Sequence, residues 1–350
     1  MIRTGGARRA VEFTTGGRLE VRITPADVGK RVSVRRLTGA VDGTEKFTDT
    51  VGTLTSWDDD VVLITRRTGE TVRIAASSLV AGKVVPAAPA RRRGPAASFR
   101  ELAGVAARAW QPVEREALGE WELRASAGFT RRANSVLPLG DPGMPLDEAL
   151  GRVRRWYDLR SLPAYIQTAT GAEGTQELLC AELDARGWRR EVTAELRVGA
   201  LAPLADGGRD ADGDADADVA PVRLDRVCDE AWLRRYQRFA EPGPHVLKVL
   251  GSGPSVWFAS VAGDDAGVPA AIGRCVVDGR WAGFMAVEVD PARRRQGLAS
   301  AVMRALARRA LDEGASAGWL QVESDNAAAG ALYDGMGFAT HHLYHHFRAA

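Results

Sequence analysis

The chain has 350 residues, 45% apolar and 26% charged, with a formal net charge of +2, a balance that fits a soluble globular protein of two or three domains and argues against a general polyanion binder. Cys180, Cys228 and Cys275 are odd in number and scattered, which suggests neither a disulfide framework nor a zinc site. No apolar run approaches the ~20 residues of a membrane span and Met1–Thr15 lacks a signal-peptide core, so a cytoplasmic protein without a membrane partner is expected.

Residues 1–16 read as a flexible N-terminus. From 17 to 85 the runs RLEVRI, KRVSVRRL, TVGTLTSW, DVVLITRR and ETVRIA alternate apolar with polar between turn-forming segments. This spacing predicts five short strands closing into a small SH3-like β-barrel. PAAPARRRGPAA, 86–97, is a Pro/Ala/Arg linker. The block 98–203 alternates elements: helix SFRELAGVAARAW, strands WELRAS and TRRANSVLPLG, helix LDEALGRVRRWYDLR, strand AYIQTAT, helix TQELLCAELDARGW and strand RREVTAELRVG. The segment 204–221 is acidic and of low complexity, an expected disordered connector. The block 222–350 starts with strand VRLDRV and helix DEAWLRRYQRFA, then strands VWFASVAG, AAIGRCVVDG and WAGFMAVEV. After ARRRQGLASAV, which opens a helix over Leu298–Leu311, come strand WLQVESDN, helix AAAGALYDGMGF and strand HHLYHHFRA.

The run ARRRQGLASAV, 292–302, supplies what a pyrophosphate needs. Gly297 lets the backbone approach closely, small Ala299 keeps the next turn clear, and successive peptide N–H groups at a helix start converge on one anion. Arg293, Arg294 and Arg295 add charge to the positive end of the macrodipole.

Three ordered motifs, Arg294-x-x-Gly297-x-Ala299, Asn326-x-x-Ala329-x-x-Leu332-Tyr333 and Gly337-Phe338, make this segment resemble the GNAT superfamily of N-acetyltransferases. The resemblance implies a mixed central sheet flanked by helices and acetyl-CoA as cosubstrate. Its pyrophosphate would be held by Arg294, Arg295, Gln296, Gly297, Leu298, Ala299 and Ser300. It further implies that the backbone of Val287 and Val289 pairs with the pantetheine arm, that the Val289 N–H serves as oxyanion donor, and that Tyr333 is the acid. Phenol at pKa ~10 is a poor full proton donor to a thiolate near ~8.5, so hydrogen bonding to the sulfur describes Tyr333 better. Asn326 either caps the following helix or bonds the pantetheine arm. Glu288 and Glu323 are candidate bases acting through water; both also fit as ordinary polar strand residues.

The two blocks look like an internal duplication: Tyr165-Ile166-Gln167 corresponds to Trp319-Leu320-Gln321, Gly187-Trp188 to Gly337-Phe338, and SVLPLG to AVEVDP. The first copy has DPGMPLD in place of the Arg/Gly loop and Leu183 in place of Tyr333. A degenerate half beside a competent one resembles the tandem halves of mycothiol synthase and, with the barrel, an actinobacterial GNAT group carrying an SH3-like N-terminal domain. His341, His342, His345 and His346 alternate across a strand, and each same-face pair lies ~13 Å apart, too far to chelate locally. Cys275 has no evident basic partner. The acceptor pocket is expected from Asp229–Ala240, EPGPHVLKVLGSG and the closing strands. The function expected is acetyl transfer to a primary amine of a small molecule or of a protein or peptide, by direct attack in a ternary complex. The alternatives are a non-catalytic acyl-CoA-binding regulator and a barrel-led nucleic-acid or peptide adaptor; few exposed aromatics argue against nucleic acid, and the sequence leaves oligomer formation open.

Overall fold

In the computed structural model, residues 20–41, 44–58, 60–86, 94–206, 221–236, 243–264 and 267–350 are described. The expected flexible N-terminus 1–16, most of the linker (87–93) and most of the acidic connector (207–220) lie outside them. The chain divides into two compact units, Met1–Pro89 with Gln176–Glu182, and Ala90–Thr175 with Leu183–Ala350.

The first unit holds β1 (Arg31–Val41), β2 (Thr44–Trp57), β3 (Val61–Thr65), β4 (Thr71–Ala75) and β5 (Leu79–Val84), an antiparallel sheet in the order β4-β3-β2-β1-β5. Alternation buries Val32, Val34, Leu54, Val62, Ile64 and Ile74 around Ile23. Two strand expectations are corrected. Of RLEVRI, the described residues 20–23 form only a single parallel bridge, Val21 to Gly82, and the fifth strand is Leu79–Val84. Gly82 weakens the apolar pattern of that strand but is needed there: a Cβ on it would lie 2.9 Å from Ile23 Cγ1.

The second unit begins with α1 (Phe99–Ala109), β6 (Glu114–Leu118), β7 (Trp121–Ala125), β8 (Leu137–Pro138), α2 (Leu146–Asp158), β9 (Tyr165–Thr170), β10 (Arg189–Ala200) and α4 (Leu201–Asp206), while α3 (Glu177–Ala185) is divided, its residues as far as Glu182 falling in the first unit. It continues with β11 (Val222–Asp225), α5 (Glu230–Arg235), α6 (Pro244–Leu250), β12 (Ser255–Val261), β13 (Ala271–Asp278), β14 (Trp281–Val289), α7 (Leu298–Asp312), β15 (Ala317–Glu323), α8 (Ala327–Gly335) and β16 (Ala339–Arg348). Eight strands form one sheet in the order β11-β12-β13-β14-β15-β10-β16-β9. The two sequence halves therefore exchange their last strands: β15 pairs with β10 of the first half, and β9 pairs with β16 of the second. The register is two-fold about Ala194↔Tyr344, since Thr193↔His345 mirrors Glu195↔Leu343.

The hairpins revise how the halves correspond. Leu118↔Trp121 closes over Gly119 at φ 56°, as Asp278↔Trp281 closes over Gly279 at φ 59°. β7 thus matches β14, and SVLPLG is not the counterpart of AVEVDP. Instead β8 pairs with β7, and Val136 is sewn into β9, donating to Tyr165 O (2.8 Å) and accepting from Gln167 N (2.9 Å). The first half fills with its own chain the place beside its central strand.

The sheet is covered on both faces. One core contains Leu102, Val105 and Trp110 with Leu196, Val198, Met285 and Trp319; the other contains Leu201, Val302 and Leu306 with Phe284, Leu320 and Phe338. α7 sits so close to β13 that a Cβ on Gly273 would meet Val302 Cγ1 at 2.5 Å.

Candidate active site

The site starts where two strands part. β14 and β15 run parallel from Trp281↔Ala317 to Phe284↔Leu320 and then diverge, while β14 continues to Val289 along β13 alone. A bulge drives the divergence: Gly273 faces two residues of β14, and Ala286 takes φ +52°, a left-handed conformation that bends the strand. Asp290 N donates to Ala270 O at 2.8 Å, so alternation turns the Val289 amide the other way, toward the edge of β14 that β15 has left. The Val287 and Val289 side chains pack on the α7 core, which separates their apolar task from that of their backbone.

The loop after β14 is braced by ion pairs at its base and bare at its tip. Asp290 accepts from Ala292 N (2.9 Å) and pairs with Arg235 (2.6 Å); both contacts hold its carboxyl below the usual range. Arg293 pairs with Asp264 (2.9 Å) and donates to Gln296 (2.8 Å). Arg294, Arg295, Gln296 and Gly297 are exposed. Arg295 at φ +62° and Gly297 at φ +76° turn the chain into α7, where no side chain caps the helix. The first backbone N–H taken inside α7 is that of Ala301, by Gly297 O (2.9 Å). The amides of Leu298, Ala299 and Ser300 have no partner within the helix. Buried Leu298, Val302, Met303 and Leu306 anchor its other side.

Tyr333 stands on α8, half-buried, edge-on to Phe338 (centroids 6.2 Å), which in turn meets Phe284 at the fork (6.1 Å). Asn326 is resolved as the cap of α8: its side chain accepts from Ala329 N at 3.1 Å. Alternation sends Glu288 opposite to Val287 and Val289, toward the α1 side of the sheet, and places Glu323 with Trp319 and Gln321 at the exposed end of β15. The structure gathers Val287, Val289, residues 294–300 and Tyr333 around the α7 side of the fork and leaves Glu288 on the far face, while Glu323, at the strand end, also borders α8. The helix expected over Asp229–Ala240 ends at Arg235 within the described residues, and EPGPHVLKVLGSG contains α6, which Gly243 and Gly251 bracket.

Beside α8 lies a cavity of about 270 Å³, lined by Glu195, Arg197, Glu323, Asn326 and Asp334 among others. Arg197, from the first half, is buried there and ties it to α8, bonding Glu195 (2.6 Å), Asp334 (2.9 Å) and Gly330 O (3.0 Å). Breaking a partly buried network of this kind costs about 2–4 kcal/mol. Arg197→Met is therefore expected to lower the urea midpoint measurably and to loosen the helix that carries Tyr333.

The four histidines sit on β16. His345 bonds Thr170 and Thr193 (both 2.9 Å), His341 and His342 share an Nδ1–Nδ1 bond (2.9 Å), and buried His346 has no partner for either ring nitrogen. Among the described residues no group of three His, Cys, Asp or Glu is arranged for a metal. Burial pushes the Cys275 thiol up to about 12, which keeps it protonated. Arg124, Arg132 and Arg274 escaped the sequence reading. Arg132 falls in TRRAN, expected as strand but folded as a 3-10 turn (Arg131–Ala133), and nothing local marks the residue as part of a site.

Residues 96–347 match the family model described as probable histone acetyltransferase Rv0428c, C-terminal, and residues 26–83 match the Rv0428c N-terminal Sm-like domain. The chain is 30% identical over 324 residues to the probable histone acetyltransferase Rv0428c of Mycobacterium tuberculosis, covering 90% of this chain and 93% of that protein. In fold it is similar to a GCN5-related N-acetyltransferase from Kribbella flavida, at a TM-score of 0.51 and 14% identity over 72% of this chain and 96% of that one. The small barrel expected as SH3-like is thus matched by an Sm-like model. No helix among the described residues is long and apolar enough to cross a membrane.

Proposed function

We propose, from the premise that this chain belongs to the GNAT acetyltransferase family of probable histone acetyltransferase Rv0428c with its N-terminal Sm-like domain, that it moves the acetyl group of acetyl-CoA onto a primary amine by direct attack in a ternary complex. The observation that carries this reading is the exposed, uncapped start of α7 placed one short loop from the strand fork. Three unspent amides, the positive helix end and exposed Arg294 and Arg295 suit a diphosphate. The outward-turned backbone of Val287 and Val289 offers an extended arm the hydrogen bonds of a missing strand. When bound, acetyl-CoA supplies an acyl group activated as a thioester.

The residues then divide the work. The Val289 N–H faces the gap and can donate to a carbonyl oxygen as negative charge builds there, a role worth about 3 kcal/mol in comparable sites. Tyr333, on the α7 side, donates a hydrogen bond to the departing sulfur. Glu288, on the opposite face, takes the ammonium proton through water, with Glu323 as the second candidate. Two faces serve two substrates, so attack occurs through the fork.

Calorimetry should give a micromolar Kd for acetyl-CoA, and an amine panel should release free thiol; absence of binding at millimolar acetyl-CoA would overturn the proposal. Tyr333→Phe is expected to lower kcat about 10- to 100-fold with the acetyl-CoA Kd unchanged, read by thiol release beside calorimetry. Unchanged turnover would remove Tyr333 from the chemistry.

A further inference from the structure

The α1 side of the fork carries three arginines that no carboxylate touches. Arg274 is wholly buried, donating to Leu250 O (2.6 Å), Ser252 O (2.5 Å) and the sulfur of Met285 (3.2 Å). Arg124 is almost as deeply buried, donating to Ser135 O (2.8 Å), Ser135 Oγ (3.0 Å) and Gln167 Oε1 (3.0 Å). Arg132, half-buried, donates to Gln321 Oε1. Arg132 and Arg274 both lie over the ring of Trp110, at 5.2 and 5.1 Å. Among the described residues none of the three has an acidic group within 4.0 Å, although most of the other described arginines are ion-paired. Every partner is neutral. An unpaired buried charge is costly to a fold: burial lowers the affinity of Arg124 and Arg274 for a proton, and the charge of Arg132 beside each lowers it further.

Their position gives them a use. The last parallel pair of the fork is Phe284↔Leu320, and the next residues on the two strands are Met285 and Gln321. Arg274 touches the first and Arg132 the second. The cationic group thus stands in the crotch of the fork, on the face opposite α7 and Tyr333. A cavity of about 30 Å³, water-sized, is lined by Trp110, Arg124, Arg132, Gln167 and Gln321. Unlike Arg274, whose donors are spent on backbone carbonyls and sulfur, Arg132 has one side-chain hydrogen bond and a stacking face.

We propose that Arg132, backed by the charges of Arg274 and Arg124, binds a carboxylate carried by the acceptor amine. The inference rests on the acetyl-transfer reading and names its acceptor class: amino acids or carboxylate-bearing amines in place of lysine-rich tails. A guanidinium can take a carboxylate through two parallel N–H···O bonds, fixing the amine at a set distance from the fork. A second cation next to the reacting amine meets the same three charges and is repelled.

The test uses the full chain with saturating acetyl-CoA and free-thiol release as readout. The panel is the α-amino acids and β-alanine, each beside its primary amide. Wild type is expected to favour carboxylates over their amides by at least tenfold in kcat/KM. Arg132→Gln should raise KM for the carboxylates about 10- to 100-fold, leave the amides unchanged and erase the preference; Arg132→Lys should restore part of it. Calorimetric Kd for acetyl-CoA should not move in Arg132→Gln. Equal use of acids and amides by wild type, no carboxylate acceptor at all, or an equal loss on both classes in Arg132→Gln would overturn the proposal. Failure of wild type to bind acetyl-CoA would instead strike the underlying acetyl-transfer reading, which the separate calorimetry distinguishes.

Discussion

Gly297→Glu is expected to weaken acetyl-CoA binding at least 100-fold while leaving the protein folded. Gly297 is exposed and takes φ +76° at the uncapped start of α7, so a side chain there meets solvent rather than the core. Holding a non-glycine residue in this conformation costs about 1–2 kcal/mol. The new carboxylate would also sit among the amides that face the diphosphate. Two like charges ~5 Å apart at an effective dielectric near 40 repel by about 1.7 kcal/mol, and the diphosphate carries more than one. Repulsion from the two or more charges of the diphosphate thus exceeds the roughly 2.7 kcal/mol that a 100-fold loss represents, whereas the strain, present with or without ligand, lowers stability. Gly297→Ala separates the two terms: it keeps the strain and adds no charge, so it should lower stability by about 1–2 kcal/mol and leave acetyl-CoA binding within about threefold of wild type. Calorimetry on both variants, with thermal unfolding as the check on folding, decides the matter. A Glu variant that binds within threefold of wild type removes this loop from the cofactor site.

What the sequence disclosed is what depends on neighbours in the chain. The bounds of β14 follow from WAGFMAVEV alone, and α7 begins where Gly297 ends the loop, because turn chemistry and apolar period are local signals. The exchange of β10 and β16 could not be read this way. Both strands carry a similar alternation, and periodicity states which face a residue takes but not which strand lies beside it. The correspondence between halves went astray for the same reason: SVLPLG and AVEVDP share a pattern, whereas the matching hairpins are marked by one glycine and one tryptophan each, Gly119 with Trp121 and Gly279 with Trp281. The helix Pro244–Leu250 was hidden by its length of 7 residues between glycines. Arg124, Arg132 and Arg274 are scattered along the chain and acquire meaning only when Trp110 brings Arg132 and Arg274 together and the small cavity beside it sets Arg124 next to Arg132.

Mild acid is expected to destabilise this protein well above the range in which carboxylates titrate. His342, His345 and His346 are buried in β16, and burial pushes His342 and His345 down to about 3 and His346 well below the ordinary histidine value. Cations add to this: Arg190 beside His345, and Arg124, Arg132 and Arg131 around His346. In the unfolded chain each ring takes up a proton near pH 6.5, whereas in the fold it stays neutral, so the unfolded state binds more protons and stability falls as pH falls through that range. Each ring contributes about 1.4 kcal/mol per pH unit once below 6.5, and the three together remove about 3–4 kcal/mol between pH 7 and 5.5. The paired carboxylates, such as Glu101 and Asp290, are held below their ordinary values and lose their contribution only at lower pH, so the two windows do not overlap. Urea unfolding at pH 7.5, 6.5 and 5.5 should show the decline, and His345→Gln, which can still bond Thr170 or Thr193, should lessen its slope by about a third. A midpoint flat across this range would mean that the histidines of β16 are accessible to protons in the native state. Because β16 lies between β10 and β9, the strand that acid weakens is the one through which the two halves share their sheet, so acetyl-transfer activity should be lost together with the fold rather than before it.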